Sequence, residues 1–263
     1  MIHRCSQLPS GVIVPLVTPR NFSDLGPMLD HVVEGGVAAV FILGTTGETL
    51  KLDQKQRIEV IRKVAEYLRE RVPLLVGIGA ANLAESLELM HVAHEVGAAA
   101  CVVVPNLWGG DGMHVVEELL FSSQGNLVLY NNPALTAENF LLVEQVKKLA
   151  LEERILGIKD SSGDLEYFGE ILKIKGHPSF KIYYGREHHL PEVLNKNIDG
   201  IVPGCANIEP ELVSELWSKK GEGVWSRWDA LRPLVKQEGG GDYLLGLKRM
   251  LKLRGLLSDA GVW

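Results

Sequence analysis

The stretch ILGIKDSSGDLEYF, residues 155–168, carries one strand, one loop and the start of one helix. Its apolar run Ile155–Lys159 is short and lies between polar residues, which predicts a buried strand. The segment 163–174 has apolar residues at a helical period, and it predicts a helix. A strand followed directly by a helix is the repeating unit of an α/β fold.

Runs of the same kind recur roughly every 25 residues along the chain. Eight are apparent: Val12–Val17, Val37–Leu43, Pro73–Ile78, Ala100–Val104, Asn126–Tyr130, Ile155–Lys159, Lys181–Tyr184 and Gly200–Val202. They are apolar throughout rather than alternating, as in parallel strands that are covered on both faces. Between them lie helical patterns at 54–70, 84–96, 138–150, 163–174 and 187–196. Two of these begin with the spacing of a capping box, Asp53 with Gln56 and Asn82 with Glu85.

This alternation of strand and helix over about 210 residues predicts an α/β fold of the TIM-barrel type, a (β/α)8 barrel. An open, doubly wound sheet is the competing architecture. It is disfavoured because the first strand–helix turn has no G-x-G-x-x-G. The related sequence GIGAAN, residues 77–82, lacks the third glycine and is interpreted as a loop after the third strand.

The strand pattern stops near residue 209, and helices are expected at 209–219, 224–237 and 242–257. We therefore expect a barrel that carries the catalytic site over residues 1–220. A small appendage of C-terminal helices is expected over residues 221–263. Trp217, Trp225 and Trp228 form an apolar stripe in this part of the chain, which is typical of packing or of a subunit interface.

The composition is that of an ordinary globular protein: 263 residues, 46% hydrophobic, 23% charged, with a net charge of −6. No Lys/Arg cluster indicates nucleic-acid binding. No apolar stretch has the length of a membrane span, and no signal-peptide pattern occurs, so a cytoplasmic protein without a membrane partner is expected. Cys5, Cys101 and Cys205 are few and far apart, which favours free thiols in a reducing compartment.

Lys159 is the most informative residue because it closes a buried strand. Burial removes the hydration of an ammonium group and favours the neutral amine, which is the nucleophilic form. Lys159 is therefore a candidate for a nucleophile that forms a Schiff base. The alternative is a lysine that extends to water or pairs with the adjacent Asp160.

Other residues at strand ends complete a chemical set, since the active site of such a barrel lies at the carboxyl ends of its strands. Tyr130 ends the neighbouring strand and can exchange the protons that imine formation moves. Thr45 and Thr46 follow the second strand and offer hydroxyl and backbone N–H donors for a carboxylate. Together with Lys159 they describe a site that activates a 2-keto acid. The alternatives are a core tyrosine and a simple β-turn at the threonines.

The histidines and the last cysteine are weaker candidates. His91 and His94 lie three residues apart on a predicted helix, and His188 and His189 are adjacent. Neither pair fits a metal-binding motif or has an evident third ligand, so no metal site is expected. Cys205 follows the eighth strand near the predicted site, where a small buried residue is the simpler interpretation.

Five motifs at strand ends give the chain a family resemblance. They are PLVTP at 15–19, GTTGE at 44–48, YNNP at 130–133, GIKDSSGD at 157–164 and the DG-I sequence at 199–201. In this order they resemble the dihydrodipicolinate synthase / N-acetylneuraminate lyase family of class I, pyruvate-dependent aldolases. The resemblance covers roughly residues 10–210, which is the predicted barrel.

The resemblance implies a role for each matching residue. Lys159 corresponds to the Schiff-base lysine, and Tyr130 corresponds to the tyrosine that shuttles protons to and from the substrate. Thr45 and Thr46 correspond to the pair that holds the pyruvate carboxylate, with Thr45 nearer the tyrosine and Gly44 in the same motif. No metal or organic cofactor is implied, and a homo-oligomer, a dimer or a tetramer, is expected.

Departures from the family pattern concern the proton relay and the second substrate. The loop PNLW at 105–108 lacks the tyrosines that the family usually has there, so the relay is either incomplete or uses water. Family synthases carry an arginine shortly after YNxP, where this chain has Pro133, Ala134 and Leu135. Leu135, expected to contact substrate, and GDLEYF at 163–168 both resemble the lyase branch.

The acceptor end of the site is expected after the seventh and eighth strands. Arg186 stands where the lyase branch tends to have an acidic pair, and it is suited to bind an anionic tail, carboxylate or phosphate, by a bidentate contact. The alternative for Arg186 is a surface salt bridge with Glu187. Gly185 beside it and Gly204 beyond the eighth strand are further candidates for substrate binding.

Three functions remain open from the sequence. The first is a class I aldolase or lyase that forms or cleaves a C–C bond between pyruvate and an aldehyde, acting on acids of the 2-keto-3-deoxy type. The second is dihydrodipicolinate synthase or a related dehydratase of the same family. The third is a catalytically degraded homologue that acts as a binding or regulatory protein.

Overall fold

Eight parallel strands form a closed barrel in the computed structural model of the chain, which describes residues 8–107, 112–137, 140–219 and 222–263. The strands are β1 (Gly11–Pro15), β2 (Ala39–Ile42), β3 (Leu74–Gly77), β4 (Ala100–Val103), β5 (Leu127–Asn131), β6 (Ile155–Asp160), β7 (Lys181–Tyr184) and β8 (Gly200–Ile201). Each strand pairs with the next one, and β8 pairs with β1. The predicted (β/α)8 barrel is confirmed.

Helices alternate with these strands and continue after the last one. Within the described ranges they are α1 (Leu25–Glu34), α2 (Gln54–Leu68), α3 (Leu83–Glu95), α4 (Gly112–Ser122), α5 (Val143–Leu149), α6 (Leu165–Ile171), α7 (Leu190–Val193), α8 (Pro210–Lys219), α9 (Glu222–Glu238) and α10 (Tyr243–Leu253). Among the described residues, no helix is both long and apolar enough to cross a bilayer. The sequence patterns did not single out α1 and α4.

The capping predictions hold at α2 and partly at α3. The Asp53 carboxylate accepts from Gln56 N at 2.8 Å, and the Gln56 amide oxygen accepts from Asp53 N at 2.9 Å, which completes the box. Asn82 also caps its helix, through Glu85 N at 3.0 Å. The Glu85 carboxylate, however, accepts from the backbone N–H of Ala81 at 3.3 Å. Helix α3 therefore has only one half of the capping box, the bond from Glu85 N to Asn82.

Several expected helices are shorter than their sequence patterns: the one expected at 163–174 is Leu165–Ile171, and the one expected at 242–257 is Tyr243–Leu253. The segment expected at 187–196 is a 3-10 turn, Glu187–His189, followed by the single turn of α7. Pro191 explains the break, since it has no N–H to donate and fits only the first turn of a helix. The helix expected at 138–150 begins at Val143, and residues 138 and 139 lie outside the described ranges.

The apolar core has two layers, separated by the barrel wall. The larger layer lies between strands and helices, and the smaller layer fills the barrel interior. Phe41, Val128, Tyr130 and Leu156 belong to the interior layer. Trp228 on α9 is fully buried in the larger layer, and Trp217 and Trp225 pack against it; these tryptophans contribute to packing.

The pairing of β5 with β6 contains a bulge. Leu127 and Val128 are neighbours on β5, but their partners on β6 are Ile155 and Gly157. Leu156 is therefore an extra residue in β6. A bulge of this kind shifts the register of everything beyond it by one residue.

Beyond the bulge, Tyr130 stands opposite Lys159, and Lys159 stands opposite Tyr183 on the next strand. Without the extra residue, Tyr130 would face Ile158, which belongs to the outer layer of the core. Side chains at paired positions of parallel strands point to the same face. The bulge therefore places Lys159 and Tyr130 side by side inside the barrel.

A buried ion pair attaches α10 to the loop after β2. The Lys248 ammonium is fully buried and pairs with the Glu48 carboxylate, whose side chain is 5% exposed. Lys248 also donates to Gly261 O at 3.1 Å, and Trp263 N donates to the other Glu48 oxygen at 2.7 Å. The C-terminal segment is thus fixed to the loop that carries Thr45 and Thr46.

Replacing Lys248 by Met is expected to lower the free energy of unfolding by about 3 kcal/mol, because the buried Glu48 carboxylate loses its cation. Denaturant unfolding followed by circular dichroism measures the change. Lys252→Met removes the same charge from an exposed position of α10 and is expected to change stability by about 0.5 kcal/mol or less. Equal losses in the two variants would contradict a role for the ion pair.

Candidate active site

A cavity of about 670 Å³ opens at the carboxyl ends of the strands. Its barrel side is lined by residues from several strand ends, among them Thr45, Thr46, Tyr130, Lys159, Ser161, Gly185 and Gly204. The loop after β7 and helices α9 and α10 supply the rest of its wall. The cavity therefore contains the predicted constellation and has the size of a small-molecule site.

Lys159 lies in this cavity with a side chain that is almost enclosed. The residue is 7% exposed, and its Nζ lies 4.0 Å from the ring centroid of Tyr130 and 5.0 Å from that of Phe41. The ring faces attract the ammonium form, since their π-electrons present negative charge. The alternative of a lysine that extends into solvent does not hold.

The lysine stem has space because residue 185 is glycine. A Cβ at Gly185 would lie 2.2 Å from Ser161 Oγ and 2.9 Å from Lys159 Cε. Both separations are shorter than a non-bonded contact allows. Gly185 therefore permits the observed position of Lys159.

Asp160 does not pair with Lys159, because neighbouring residues of a strand point to opposite faces. Its carboxylate is fully buried and accepts from Asn131 Nδ2 at 2.7 Å and from Ser162 Oγ at 2.9 Å. Burial raises the pKa of Asp160 to about 6, although these hydrogen bonds lower it. Asp160 thus supports the end of β6 from the outer side.

The Tyr130 hydroxyl is the centre of a small polar network. It accepts from Asn132 Nδ2 at 3.0 Å and lies 3.5 Å from Thr45 Oγ1. Asn132 Nδ2 also lies 3.4 Å from Thr45 Oγ1. Because an amide NH2 only donates, it leaves the phenolic proton free to move toward another acceptor. The arrangement suits a proton shuttle.

The pKa of Tyr130 lies below its ordinary value. Burial, which is the largest influence, raises it. The Lys159 charge and hydrogen bonds with Thr45, Ser161 and Lys159 lower it, and together they prevail. A phenol that loses its proton more readily is better suited to take part in proton transfer.

The threonine loop is held by strained backbone at both ends. Leu43 and Glu48 have positive φ angles of 55° and 54°, which residues other than glycine rarely adopt. Glu48 N donates to Thr45 O at 3.1 Å, so the β-turn interpretation is correct as local structure. The turn presents Thr45 as an exposed side chain and Thr46 as a half-buried one, and both line the cavity.

The other predicted site residues differ in whether they line the cavity. Gly44 precedes the threonines, and a Cβ there would lie 2.7 Å from the Phe41 ring. Gly204 lines the cavity and faces α10, where a Cβ would lie 2.8 Å from the Tyr243 hydroxyl. Leu135 lines a smaller apolar pocket beside Tyr130 with Leu107, while Ala134 lines the main cavity. Trp108 of the predicted relay loop lies outside the described residues.

Arg186 is anchored by one of its nitrogens, since its Nε donates to Ser161 O at 2.7 Å. The expected alternative, a salt bridge with Glu187, is absent from the described part of the chain. The Glu187 carboxylate instead accepts from Cys205 N at 2.7 Å and from the Tyr243 hydroxyl at 2.7 Å. Burial raises the pKa of Glu187 and of the Cys205 thiol, so Cys205 is not poised as a nucleophile.

Several residues of the site were not predicted from the sequence. Asn132 and Ser161 lie within the motifs YNNP and GIKDSSGD, but only the geometry shows that they contact Tyr130. Helix α9 was treated as an appendage, yet its residues Asp229, Arg232, Pro233 and Lys236 line the cavity. Their spacing, which places polar residues on one helix face, was the available signal.

A closed barrel with a lysine enclosed at the carboxyl ends of its strands fits class I lyases and aldolases, which form an imine between a lysine and a keto acid. The Dihydrodipicolinate synthetase family model matches residues 8–260, and the chain belongs to this family. The resemblance noted in the sequence is thereby confirmed. The enzyme class expected from it, a lysine-dependent lyase or aldolase, is confirmed as well.

Relatives and solved structures agree with this assignment. A 4-hydroxy-tetrahydrodipicolinate synthase of Ectopseudomonas mendocina is 31% identical over 245 residues, 86% of this chain and 82% of that protein. The dihydrodipicolinate synthase structure from Bacteroides thetaiotaomicron has 32% identity and a TM-score of 0.86, and the match covers 96% of this chain and 91% of that one. YagE from E. coli K12, a prophage protein of the same family in complex with pyruvate, has 26% identity and a TM-score of 0.85 over 96% and 91%.

If Lys159 forms an imine with pyruvate, replacing Gly185 by Ala is expected to slow this step roughly 100-fold, because the new methyl group displaces the Lys159 side chain. The measurement is the rate at which borohydride traps the pyruvate adduct. Gly169→Ala is the matched control, since a Cβ at Gly169 on α6 meets nothing within 4 Å. Trapping by Gly185→Ala at the rate of Gly169→Ala would contradict this steric role.

Replacing Lys159 by Met is expected to raise the pKa of Tyr130. The substitution removes the positive charge that lowers this pKa, while the burial that raises it remains. Absorbance titration of tyrosinate measures the shift, with Tyr130→Phe in each background as the blank. An unchanged or lower pKa in Lys159→Met would show that the lysine charge does not act on Tyr130.

Proposed function

We propose that this protein is a pyruvate-dependent aldolase or lyase in which Lys159 forms the Schiff base. The observation that carries the proposal is the enclosed Lys159 amine against the face of Tyr130, in a cavity that also presents Thr45 and Thr46. A nucleophile, a proton shuttle and carboxylate donors are the groups that imine chemistry on a 2-keto acid needs.

The first stage attaches pyruvate to the enzyme. The neutral Lys159 amine attacks the keto carbon, a C–N bond forms, and the carbonyl oxygen takes up a proton. This hydroxyl then leaves as water, with its second proton supplied by Tyr130. The product is an iminium ion, whose positive nitrogen withdraws electrons from the adjacent carbon atoms. No metal or organic cofactor is needed for this electron sink.

The second stage makes or breaks the C–C bond. Loss of a proton from the methyl carbon gives an enamine, and its carbon attacks the carbonyl carbon of an aldehyde. The aldehyde oxygen takes up a proton and becomes a hydroxyl group. Water then releases the product and the free lysine. In the reverse direction the same steps cleave a 4-hydroxy-2-keto acid into pyruvate and an aldehyde.

The remaining predicted residues have binding roles in this proposal. Thr45 and Thr46 hold the carboxylate of pyruvate, and the turn that begins at Gly44 positions them. Asn132 orients the Tyr130 hydroxyl, to which it donates at 3.0 Å. Gly204 and Leu135 shape the surroundings of the substrate from the strand-eight loop and from beside Tyr130.

Dihydrodipicolinate synthesis is the second candidate, and it is favoured by the similarity to 4-hydroxy-tetrahydrodipicolinate synthases. The Ala134–Leu135 sequence, which stands where synthases of the family carry an arginine, speaks for the first candidate. A degraded homologue is the third candidate. Assays with pyruvate and either aspartate semialdehyde or a set of hydroxyaldehydes distinguish the first two. Adduct formation without turnover of any partner would favour the third.

We further propose a homo-oligomer in the cytoplasm, a dimer or a tetramer, with residues 1–220 as the catalytic barrel and 221–263 as its helical appendage. The family resemblance supports the assembly, and the few, widely separated cysteines support a reducing compartment. Light scattering of the purified protein measures its mass in solution, and a mass of one chain would overturn the oligomer.

Borohydride reduction in the presence of pyruvate is expected to add one pyruvyl group to Lys159, because the imine is reduced to a stable secondary amine. Peptide mass spectrometry locates the modification. Lys181→Met is the control, since Lys181 is a lysine of β7 that pairs with Asp199 and takes no part in the cavity. An adduct that persists in Lys159→Met, or none in the wild type, would overturn the proposal.

A further inference from the structure

Part of the catalytic cavity has a wall that pyruvate chemistry does not use. Three cationic residues lie on it: Arg186 from the loop after β7, and Arg232 and Lys236 from α9. We call these three residues the cationic wall. They share one cavity with Lys159, so a molecule attached to the lysine can extend toward them.

We propose that the cationic wall binds the anionic tail of the second substrate, and that this substrate is an aldehyde with a phosphate monoester. The inference rests on the proposed function and adds the chemical class of the aldehyde. It is argued from the orientation of Arg186, the unpaired charges on α9, and the size of the cavity.

Arg186 is oriented by the bond from its Nε to Ser161 O, 2.7 Å long. This contact uses one donor of the guanidinium group and fixes its plane. In the described ranges no carboxylate is close enough to form an ion pair with Arg186. Its terminal NH2 groups are therefore available to a ligand, in the forked geometry that suits phosphate oxygens.

Arg232 and Lys236 lie four residues apart on α9, and side chains with this spacing share a helix face. Among the described residues, neither of them forms an ion pair. Other arginines nearby are paired, such as Arg227 on the same helix, which lies 2.8 Å from the Glu215 carboxylate. The unpaired cations of α9 are thus on the cavity side.

Two residues of the cationic wall, Arg186 and Arg232, act on the same neighbouring side chain, His188. Burial lowers the pKa of His188, and the charges of His189, Arg186 and Arg232 lower it further. Arg186 and Arg232 come from different elements, and yet both lie close enough to act on one imidazole. Such a concentration of positive charge is favourable when an anion occupies the space.

The carboxylates on the same wall leave an excess of positive charge. Asp229 lies one turn before Arg232 on α9, and Glu187 follows Arg186. Burial raises the pKa of Glu187, and its oxygens accept from Cys205 N and Tyr243. Three cations against these two acids leave net positive charge, and the three cationic side chains together offer donors for several anionic oxygens, which a phosphate monoester carries at neutral pH.

The cavity volume supports a two-part occupant. About 670 Å³ lies within the range of sites for molecules of drug size, and pyruvate has only six non-hydrogen atoms. The remaining space accommodates an aldehyde of several carbon atoms with a terminal anionic group. A carboxylate tail shares this chemistry, and the experiment distinguishes it from phosphate.

The test compares the condensation of pyruvate with three aldehydes: glyceraldehyde, glyceraldehyde 3-phosphate and succinic semialdehyde. We expect kcat/KM to be about tenfold or more higher for the phosphorylated aldehyde than for glyceraldehyde, since charge-assisted hydrogen bonds of this kind are worth a factor of ten. Equal values for these two would overturn the proposal. A preference for the carboxylated aldehyde alone would overturn the assignment to phosphate.

Variants locate the effect on the cationic wall. In Arg232→Met and Lys236→Met we expect about a tenfold loss of kcat/KM for glyceraldehyde 3-phosphate and little change for glyceraldehyde. Arg227→Met removes the same charge from the paired face of α9 and is expected to leave both values unchanged. Losses of equal size with both aldehydes would indicate a structural role and overturn the proposal.

Two further measurements separate this inference from the proposed function. Borohydride trapping of pyruvate tests Lys159 without any aldehyde, and it is expected to be normal in all three α9 variants. Calorimetric titration with glycerol 3-phosphate, against glycerol, tests the wall without any turnover. Normal trapping with no binding of glycerol 3-phosphate, or binding that Arg232→Met does not weaken, would overturn the inference alone.

Discussion

The pairing of β5 with β6 determines where the chemistry of this barrel takes place. An extra residue in β6, Leu156, shifts the register so that Tyr130 stands opposite Lys159. In parallel strands such paired positions share a face, and here that face is the barrel interior. The polar network around the Tyr130 hydroxyl and the position of the Lys159 amine both follow from this one irregularity. The bulge thus converts a regular scaffold into a site.

Lys159 and Tyr130 influence each other electrostatically inside the barrel. The aromatic faces of Tyr130 and Phe41 attract the cationic Lys159 side chain, while the proposed Schiff-base chemistry needs a neutral amine. The same ammonium lowers the pKa of Tyr130 against the effect of burial. The Lys159 Nζ lies 4.0 Å from the centroid of the Tyr130 ring, so a change of charge on either group acts on the other.

Strand order and the buried position of Lys159 were predictable from the sequence because each depends on local pattern. Short apolar runs indicated all eight strands, and a lysine at the end of the sixth was conspicuous. Helix α1 was not singled out, since Gly26 and Pro27 obscure its period in the first turn. Helix α7 was overestimated because the pattern begins before Pro191, which fits only the first turn of a helix.

Contacts between distant parts of the chain were beyond the reach of sequence patterns. The bulge at Leu156 depends on the pairing of two strands, and it leaves no periodicity of its own. The contact between Lys248 and Glu48 joins residues about 200 positions apart, and the role of α9 in the cavity depends on how that helix packs. Spacing showed that Arg232 and Lys236 share a face, but not what this face covers.

The cavity is lined by two kinds of element, the strands of the barrel and helix α9, and these differ in how freely their residues can be substituted. The residues proposed to form the imine stand on strands of a closed barrel, where each change disturbs neighbours on both sides. The residues of α9 that face the cavity belong to a helix whose buried residues, Trp228 among them, pack in the larger layer of the core. Substitutions on the cavity-facing side of α9 can therefore change which aldehyde the enzyme accepts, while the residues proposed to react with pyruvate stay the same.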